Sequence, residues 1–331
     1  MKYVDVFTTT PFHGNPAGIV TDADDLSPVD MKKISGDINM SESAYVSTGR
    51  GSSPFRLRYF TQKSELDISG HATIAACFAL IEEGRIALND GVTSINFDTN
   101  IGDVPLYISF RKKQDSDNEL LLEKEEGNSD SVKIGDQGYL DKIMTRQSVK
   151  SYQTAADITP EEIAEILQIN PGEIHDTDLP MERMATGLEH LVIPVMHKET
   201  LLNMKPDLIK LSLLNKKHGI QTNDIFSLEA FNERSIAYSR HFAPAIGLWE
   251  DQGSANAAIC IGTYMHRHGI TTRQSMIFDQ GSDRDHFSAV HVDIETSIGV
   301  PDSGLVGGVA TTSIIKDVDP DKIEAEDILI D

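Results

Sequence analysis

The chain has only two cysteines in 331 residues, Cys77 and Cys260, and no CxxC pair. That excludes a disulfide framework and a cysteine zinc site, and it fits a reducing compartment. Nowhere does the run of about 20 apolar residues occur that a membrane-spanning helix needs. The start, Met1-Lys2-Tyr3-Val4-Asp5-Val6-Phe7, lacks the basic-then-apolar order of a signal peptide, so a cytoplasmic location is expected. Positive charge is scarce: 29 Lys and Arg stand against 52 Asp and Glu, a net charge of −23. Such a surface repels nucleic-acid phosphates and anionic lipid headgroups, so neither nucleic acid nor membrane is an expected partner. The motifs G-x-x-x-x-G-K-S/T and G-x-G-x-x-G are both missing, which argues against a nucleotide cofactor. His266 and His268 are two apart near a helix end and no H-E-x-x-H pattern occurs, so no metal site is expected.

What is present begins with the acids themselves. Residues 114–130 and 317–331 each hold seven acids against one Lys, so together they carry about half of the net charge. Neither contains a His, a Ser-Gly loop or paired carboxylates at a suggestive spacing, and both read as solvated surface. The first segment also lacks the loop geometry of a carboxylate-rich calcium site.

Short alternating segments open the chain: 3–7, 17–20, 43–47, 55–60, 94–97 and 104–110. Their alternation predicts antiparallel strands with one buried face. A single helix is expected to interrupt them, from near His71 to Glu83 with Gly84 as its stop, and Ala72, Ala75, Ala76 and Ala79 form a small-residue stripe along it. Near residue 113 the character changes. Thr159-Pro160-Glu161-Glu162 should open a surface helix to about Leu167, and Pro206 to His218 a second, ended by Gly219. Strands are expected at 191–195 and 236–242.

A second alanine-rich helix then starts near Ser254 and ends near Gly269. Each alanine-rich helix follows a polar-Gly turn, ends at Gly, and has a Cys six positions after its first polar residue, His71 to Cys77 and Ser254 to Cys260. The chain therefore reads as two related halves, each a curved antiparallel sheet around one central helix, with a ligand between them near the two helix N-termini. The expected organisation is an N-terminal domain over 1–113, completed by 312–331, an acidic insertion at 114–130, and a C-terminal domain over 131–311. Both cysteines, inside apolar helices, read as core residues.

Three segments could carry chemistry. His13-Gly14-Asn15-Pro16 is a tight turn, followed later by Glu42, which alone reads as an exposed carboxylate at a strand start. Ser69-Gly70-His71 precedes the first central helix, whose first-turn N–H groups make an anion site. Asp251-Gln252-Gly253-Ser254 precedes the second, where Asp251 and Ser254 read in isolation as a capping pair.

Together these segments resemble the phenazine biosynthesis PhzF-like isomerases. Members carry VD-x-F with F-x-GNP, N-x-SE-x-A-F/Y-V, F-T-P-x-x-E-L-x-L-CGHAT, and R-x-FAP-x-x-G-x-x-ED-P-x-TGSA. This chain has VDVFTTTPFHGNPAGIV at 4–20, NMSESAYV at 39–46, YFTQKSELDISGHAT at 59–73 and SRHFAPAIGLWEDQGSANA at 239–257. The resemblance implies an α+β fold shared with diaminopimelate epimerase and proline racemase: two similar, mostly antiparallel barrels or rolls, each around a central α-helix, with the active site in the cleft between them. It implies cofactor-independent proton transfer by a glutamate, here Glu42, with His71 and Asp251 as the other catalytic positions, and a homodimer.

A carboxylate that takes a proton from carbon must be partly desolvated, and it can then return that proton elsewhere. Glu42 would be base and then acid, His71 would orient or polarise the substrate, and Asp251 would hydrogen-bond a polar substituent. Backbone N–H groups around Gly70–Ala72 and Gly253–Ala255, aided by Asn15, would hold a substrate carboxylate. Gln280 and Gly281 keep a family Gln-Gly pair and complete the expected binding set with Ser254 and Asn256.

The departures bear on substrate. Ser69 stands where the family has Cys, and Gln252-Gly253-Ser254-Ala255-Asn256 replaces its P-x-TGS, so Asn256 takes the place of an active-site Ser. The arginine motif that follows Gln-Gly is absent from 282–287. The expected reaction is isomerisation of a small carboxylate-bearing metabolite other than the phenazine precursor. The alternatives are an inactive carboxylate-binding protein on the same fold, and a dehydratase or epimerase of a hydroxylated amino acid. Two-thiol stereoinversion is disfavoured, because a serine hydroxyl is far less acidic than a thiol.

Overall fold

The computed structural model describes residues 1–38, 40–113, 131–297 and 300–316. The acidic insertion, Asn39 and the tail beyond Lys316 lie outside them. Nineteen strands and seven α-helices are present among the described residues, a mixed α+β fold that is mostly sheet. In chain order they are β1 (Lys2–Val6), β2 (Asn15–Val20), α1 (Pro28–Ile38), β3 (Ser43–Thr48), β4 (Phe55–Phe60), β5 (Glu65–Leu66), α2 (Gly70–Glu82), β6 (Gly91–Thr99), β7 (Gly102–Lys112), β8 (Val132–Ile134), β9 (Gly138–Ser148) and β10 (Ser151–Thr154). Then come α3 (Pro160–Leu167), α4 (Gly172–His175), β11 (Glu182–Ala185), β12 (Glu189–Pro194), α5 (Lys198–Asn203), α6 (Leu208–His218), β13 (Thr222–Ser227), β14 (Ala237–Ala243) and β15 (Leu248–Asp251). The last are α7 (Ala255–Arg267), β16 (Ser275–Gln280), β17 (Ser288–Ser297), β18 (Val300–Gly308) and β19 (Ala310–Ile315). No described helix is long and apolar enough to cross a membrane.

The described residues divide into two compact units, the first within 1–12, 16–144 and 309–316 and the second within 13–15 and 145–308. In the first, β1 pairs antiparallel with β19, β2 lies parallel to β3, β3 antiparallel to β4, β4 parallel to β6, and β6 antiparallel to β7. Helix α2 packs on β1, β3 and β19 and is buried at every position from His71 to Ile81. Its alanine stripe explains the close approach: Ala72, Ala75, Ala76 and Ala79 have no exposed surface.

The first unit runs past the composition change at residue 113. Strand β9 pairs with β7, so the chain through Met144 stays with the first unit. The shift in charge there marks an acidic segment and not a packing boundary. A helix missing from the sequence reading also stands here. Helix α1 is closed by a reciprocal cap, in which the Asp30 N–H donates to Ser27 Oγ and the Ser27 N–H donates to Asp30 Oδ2. The Ser-Pro-Val-Asp run that makes this cap was a readable start signal.

In the second unit, β12 is parallel to β13, β14 lies antiparallel to β13 and β15 and parallel to β16, and β16, β17 and β18 follow antiparallel. Side chains alternate between the two faces of a strand. Leu191, Ile193, Ile225 and Phe242 join the core of the surface helices, with Ile163, Leu167, Leu211 and Leu214. The opposite face carries Phe226, whose ring meets Tyr264 of α7 edge-on, with centroids 5.5 Å apart. These strands are thus covered by helices on both sides, which accounts for their continuous burial. Helix α3 starts as read, with Thr159 Oγ1 accepting from the Glu162 N–H, and α6 ends at Gly219 in the left-handed region, φ +69°.

Candidate active site

Two clusters of the expected residues form, one in each unit. In the first, Ser69 is the N-cap of α2: its backbone is extended, φ −140° and ψ 121°, and its Oγ accepts from the Ala72 N–H at 3.3 Å. The same hydroxyl donates to Glu42 Oε2. One group therefore closes the helix and fixes the carboxylate. His71, one residue into the helix, places Nδ1 3.6 Å from Glu42 Oε2. Its ring is 8% exposed, and Nε2 has no hydrogen-bond partner among the described residues. A buried ring nitrogen left open in this way is where a ligand atom would be satisfied. Glu42 retains about a fifth of its side-chain exposure, so it is reachable.

Behind them, Thr73 Oγ1 donates to the Ser69 carbonyl at 2.5 Å and is 2.7 Å from the Tyr59 hydroxyl. Burial pushes the Tyr59 phenol well above its ordinary range despite the Thr73 bond, and the Glu42 charge adds to this. Tyr59 thus stays protonated and serves as a fixed support. Ser69→Ala is expected to cost about 1 kcal/mol of stability through the lost cap, read as a lower urea midpoint. An unchanged midpoint would show that the hydroxyl does not close α2.

The second cluster gathers at the start of α7. Asn15 is 3% exposed, and its Nδ2 donates to Asp251 Oδ1 at 2.7 Å and to the Gly253 carbonyl at 2.9 Å. Ser254 is the N-cap, with Oγ accepting from the Ala257 N–H at 3.3 Å. Gln280 Oε1 accepts from the Ser254 N–H at 2.6 Å, while its Nε2 is buried without a partner among the described residues. Gly281 has φ +122°, and a Cβ there would stand 2.9 Å from Gln252 Oε1. Gln252, at a position where the family has proline, uses that oxygen to accept from the Ser282 N–H at 3.1 Å. Asn256 is partly exposed on the first turn of α7.

The anion-trap expectation is corrected in two places. The Ala72 N–H is taken by Ser69 Oγ, the cap of its own helix, and the Ser254 N–H by Gln280 Oε1 at the end of β16. Gly253 contributes a carbonyl acceptor to Asn15. The first-turn N–H groups of Gly70, His71, Ala255 and Asn256, which have no intrahelical acceptor by geometry, are the remaining donors. Both cysteines are fully buried, and burial raises their thiols far above the ordinary range, so neither offers a thiolate.

Residues that the sequence reading passed over include a buried group in the second unit. His190, Asp224 and His241 bring their ligand-type atoms within 4.8 Å of one another, a set that could hold a metal ion. An open cavity of about 420 Å³ in the first unit is lined by Arg50, Arg56 and Arg58 among others, and none of the nominated site residues borders it. Arg56 and Arg58 there are already paired with Asp98 and Glu65.

The family model for phenazine biosynthesis-like proteins, PhzC-PhzF, matches residues 4–315. The chain belongs to this family. Among relatives of this PhzF-family chain, Antisense-enhancing sequence 1 of Schizosaccharomyces pombe is 30% identical over 319 residues, covering 95% of this chain and 96% of that one. The trans-2,3-dihydro-3-hydroxyanthranilate isomerase of Pseudomonas fluorescens is 25% identical over 271 residues, 80% of this chain and 79% of that one. The crystal structure of a Bacillus anthracis phenazine biosynthesis protein of the PhzF family superposes with a TM-score of 0.77 at 25% identity, covering 94% and 95% of the two chains. Several relatives are named isomerases.

Proposed function

We propose that this PhzF-family protein is an isomerase that moves a proton within a small carboxylate-bearing metabolite without a cofactor. The observation that carries the reading is Glu42, hydrogen-bonded by Ser69 and flanked by His71 with an unpartnered Nε2. In the reaction Glu42 takes a proton from a substrate carbon, the electron pair of the broken C–H bond moves into the adjoining π system, and the proton returns to another carbon. No atom is gained or lost. His71 would polarise the substrate, Asp251 would accept a hydrogen bond from a polar substituent, and first-turn N–H groups would receive the carboxylate. The proposal includes barrels around α2 and α7 and joint action of the two clusters on one substrate.

The test is incubation in D₂O with trans-2,3-dihydro-3-hydroxyanthranilate and a panel of hydroxylated amino acids and unsaturated carboxylates, followed by mass spectrometry. Deuterium incorporation without change of composition supports the isomerase. Binding without exchange for every compound would favour a non-catalytic carboxylate-binding protein, a reading motivated by the changed 252–256 turn. Loss of water would show a dehydratase. A homodimer is also proposed, with the exposed side chains of Ile209 and Leu213 on α6, and of Ile246 and Trp249, as apolar surface for the second copy. Sedimentation at micromolar concentration should then give the mass of two chains, and that of one chain would overturn it.

A further inference from the structure

The face of β3 and β4 that α1 packs against changes character along its length. Register pairs Tyr45 with Arg58 and Ser47 with Arg56, and side chains paired across neighbouring strands share a face. Alternation puts Phe60, Arg58 and Arg56 of β4 on that face in succession. At the Phe60 end it is sealed, because Phe60 and Tyr45 are buried with Met31 and Ile34 of α1, and the Tyr45 hydroxyl donates to the Met31 carbonyl at 2.7 Å. At the Arg56 end the cavity of about 420 Å³ opens. Small-molecule sites commonly enclose about 300–1,000 Å³, so it has room for a metabolite.

Two of the three arginines on its wall are fixed by their neighbours. Arg58 Nε and Nη2 donate to the two oxygens of Glu65 at 2.8 and 2.7 Å, and the guanidinium lies over the Phe60 ring. Arg56 donates to Asp98 Oδ2 at 2.9 Å and to Asn100 Oδ1 at 2.7 Å, while Asn100 Nδ2 donates to Glu65 Oε1 at 3.1 Å. This network leaves Arg58 Nη1 without an acceptor among the described residues. The charges that remain on the wall are one cation and one anion. The Arg50 side chain has no hydrogen bond or ion pair among the described residues. Asp24 uses Oδ1 to accept from the Thr48 N–H at 2.9 Å, and its Oδ2 has no partner among those residues. Both border the cavity, yet no ion pair joins them.

The rest of the lining includes an apolar part, in which Ala23 and Met31 are buried and Leu26 is half-buried. We propose that this cavity binds an α-amino acid with an apolar side chain. Arg50, with Arg58 Nη1, takes the carboxylate, a group that guanidinium forks meet with two parallel bonds. Asp24 Oδ2 takes the ammonium, and Leu26 and Met31 receive the side chain. A plain carboxylate or a phosphate fits less well, because Asp24 and Glu65 would face it as like charges. A plain amine would face the arginines in the same way. The zwitterion answers both signs. The proposal is independent of the isomerase reading, since neither Glu42, His71 nor Asp251 borders the cavity.

The test titrates the ¹⁵N-labelled full chain with L-leucine and L-methionine, with isocaproate and isoamylamine as the single-charge analogues of leucine, and with inorganic phosphate. At least one of the two amino acids should bind saturably at millimolar concentration and shift the backbone amides of Ser47, Thr48 and Arg58. Arg50→Gln and Asp24→Asn should each weaken that binding about tenfold or more, the effect of losing one hydrogen bond to a charged group. Both side chains are exposed, and an Asn oxygen can still accept from the Thr48 N–H, so the variants keep the fold. Isocaproate and isoamylamine should each bind about tenfold more weakly than leucine for the same reason. Absence of saturable binding by both amino acids overturns the proposal, as does binding of isocaproate or phosphate that equals theirs, or binding that both variants leave unchanged. Shifts confined to the amides of Gly70, His71 and Ala72 overturn it too, by putting the amino acid beside Glu42 instead.

Discussion

Glu42→Gln is expected to lower deuterium incorporation and turnover by about 10²–10⁴-fold, the range that a positioned acid–base group supplies. The substitution is close to isosteric, and its amide oxygen can still accept from Ser69 Oγ, so the cap of α2 and the approach of His71 persist. What disappears is the capacity to take and return a proton. The loss should therefore fall on kcat, with KM changing little, because the first-turn N–H groups and Asp251 are untouched. Unfolding in urea should shift by less than about 0.5 kcal/mol, as for substitutions that leave packing intact. Equal turnover in the two proteins would remove Glu42 as the base. A rise in KM at constant kcat would make it a binding group instead.

The parts of this site that were readable are local. Ser69 with Ala72, and Ser254 with Ala257, are caps encoded within three residues, and both central helices stand within one or two residues of their expected limits. Helix α1 was equally local, in Ser27 to Asp30, but its weak apolar face hid it. The cluster of His190, Asp224 and His241 was not readable, because its members come from three strands and meet only through register. Its one trace was Thr222 and Asp224, polar residues two apart in a strand that is buried on both faces. Ser69 shows the intermediate case. Its role at the helix start follows from spacing, whereas its bond to Glu42 depends on the pairing of distant strands. The first unit's extent to Met144 was obscured for the same reason: charge changes at residue 113, while the pairing of β9 with β7 is long-range.

Asp224→Asn is expected to destabilise the protein by about 3–5 kcal/mol at neutral pH, the effect of leaving a buried charge without its partner. Burial alone would raise the Asp224 carboxyl, but the His190 charge and the bonds from His190 and His241 overcome it and hold it below the ordinary range. A depressed carboxyl contributes stability that is present above its unfolded value of 3.8 and lost as pH falls through the lower folded value. His241 has the opposite sign. Its raised affinity contributes stability fully present below the unfolded value of 6.5 and lost as pH rises through the folded one. Both contributions are therefore complete between about pH 4 and 6.5, and the alkaline side weakens first as His241 releases its proton. In Asp224→Asn the buried imidazole has lost its hydrogen-bonded anion, so holding a proton there becomes unfavourable. The gap between wild type and variant should consequently be larger at pH 5.5 than at pH 9 when urea midpoints are compared. A gap of equal size at both pH values would mean that Asp224 acts by packing and neutral hydrogen bonds alone. The support it gives to His241 would then not be electrostatic.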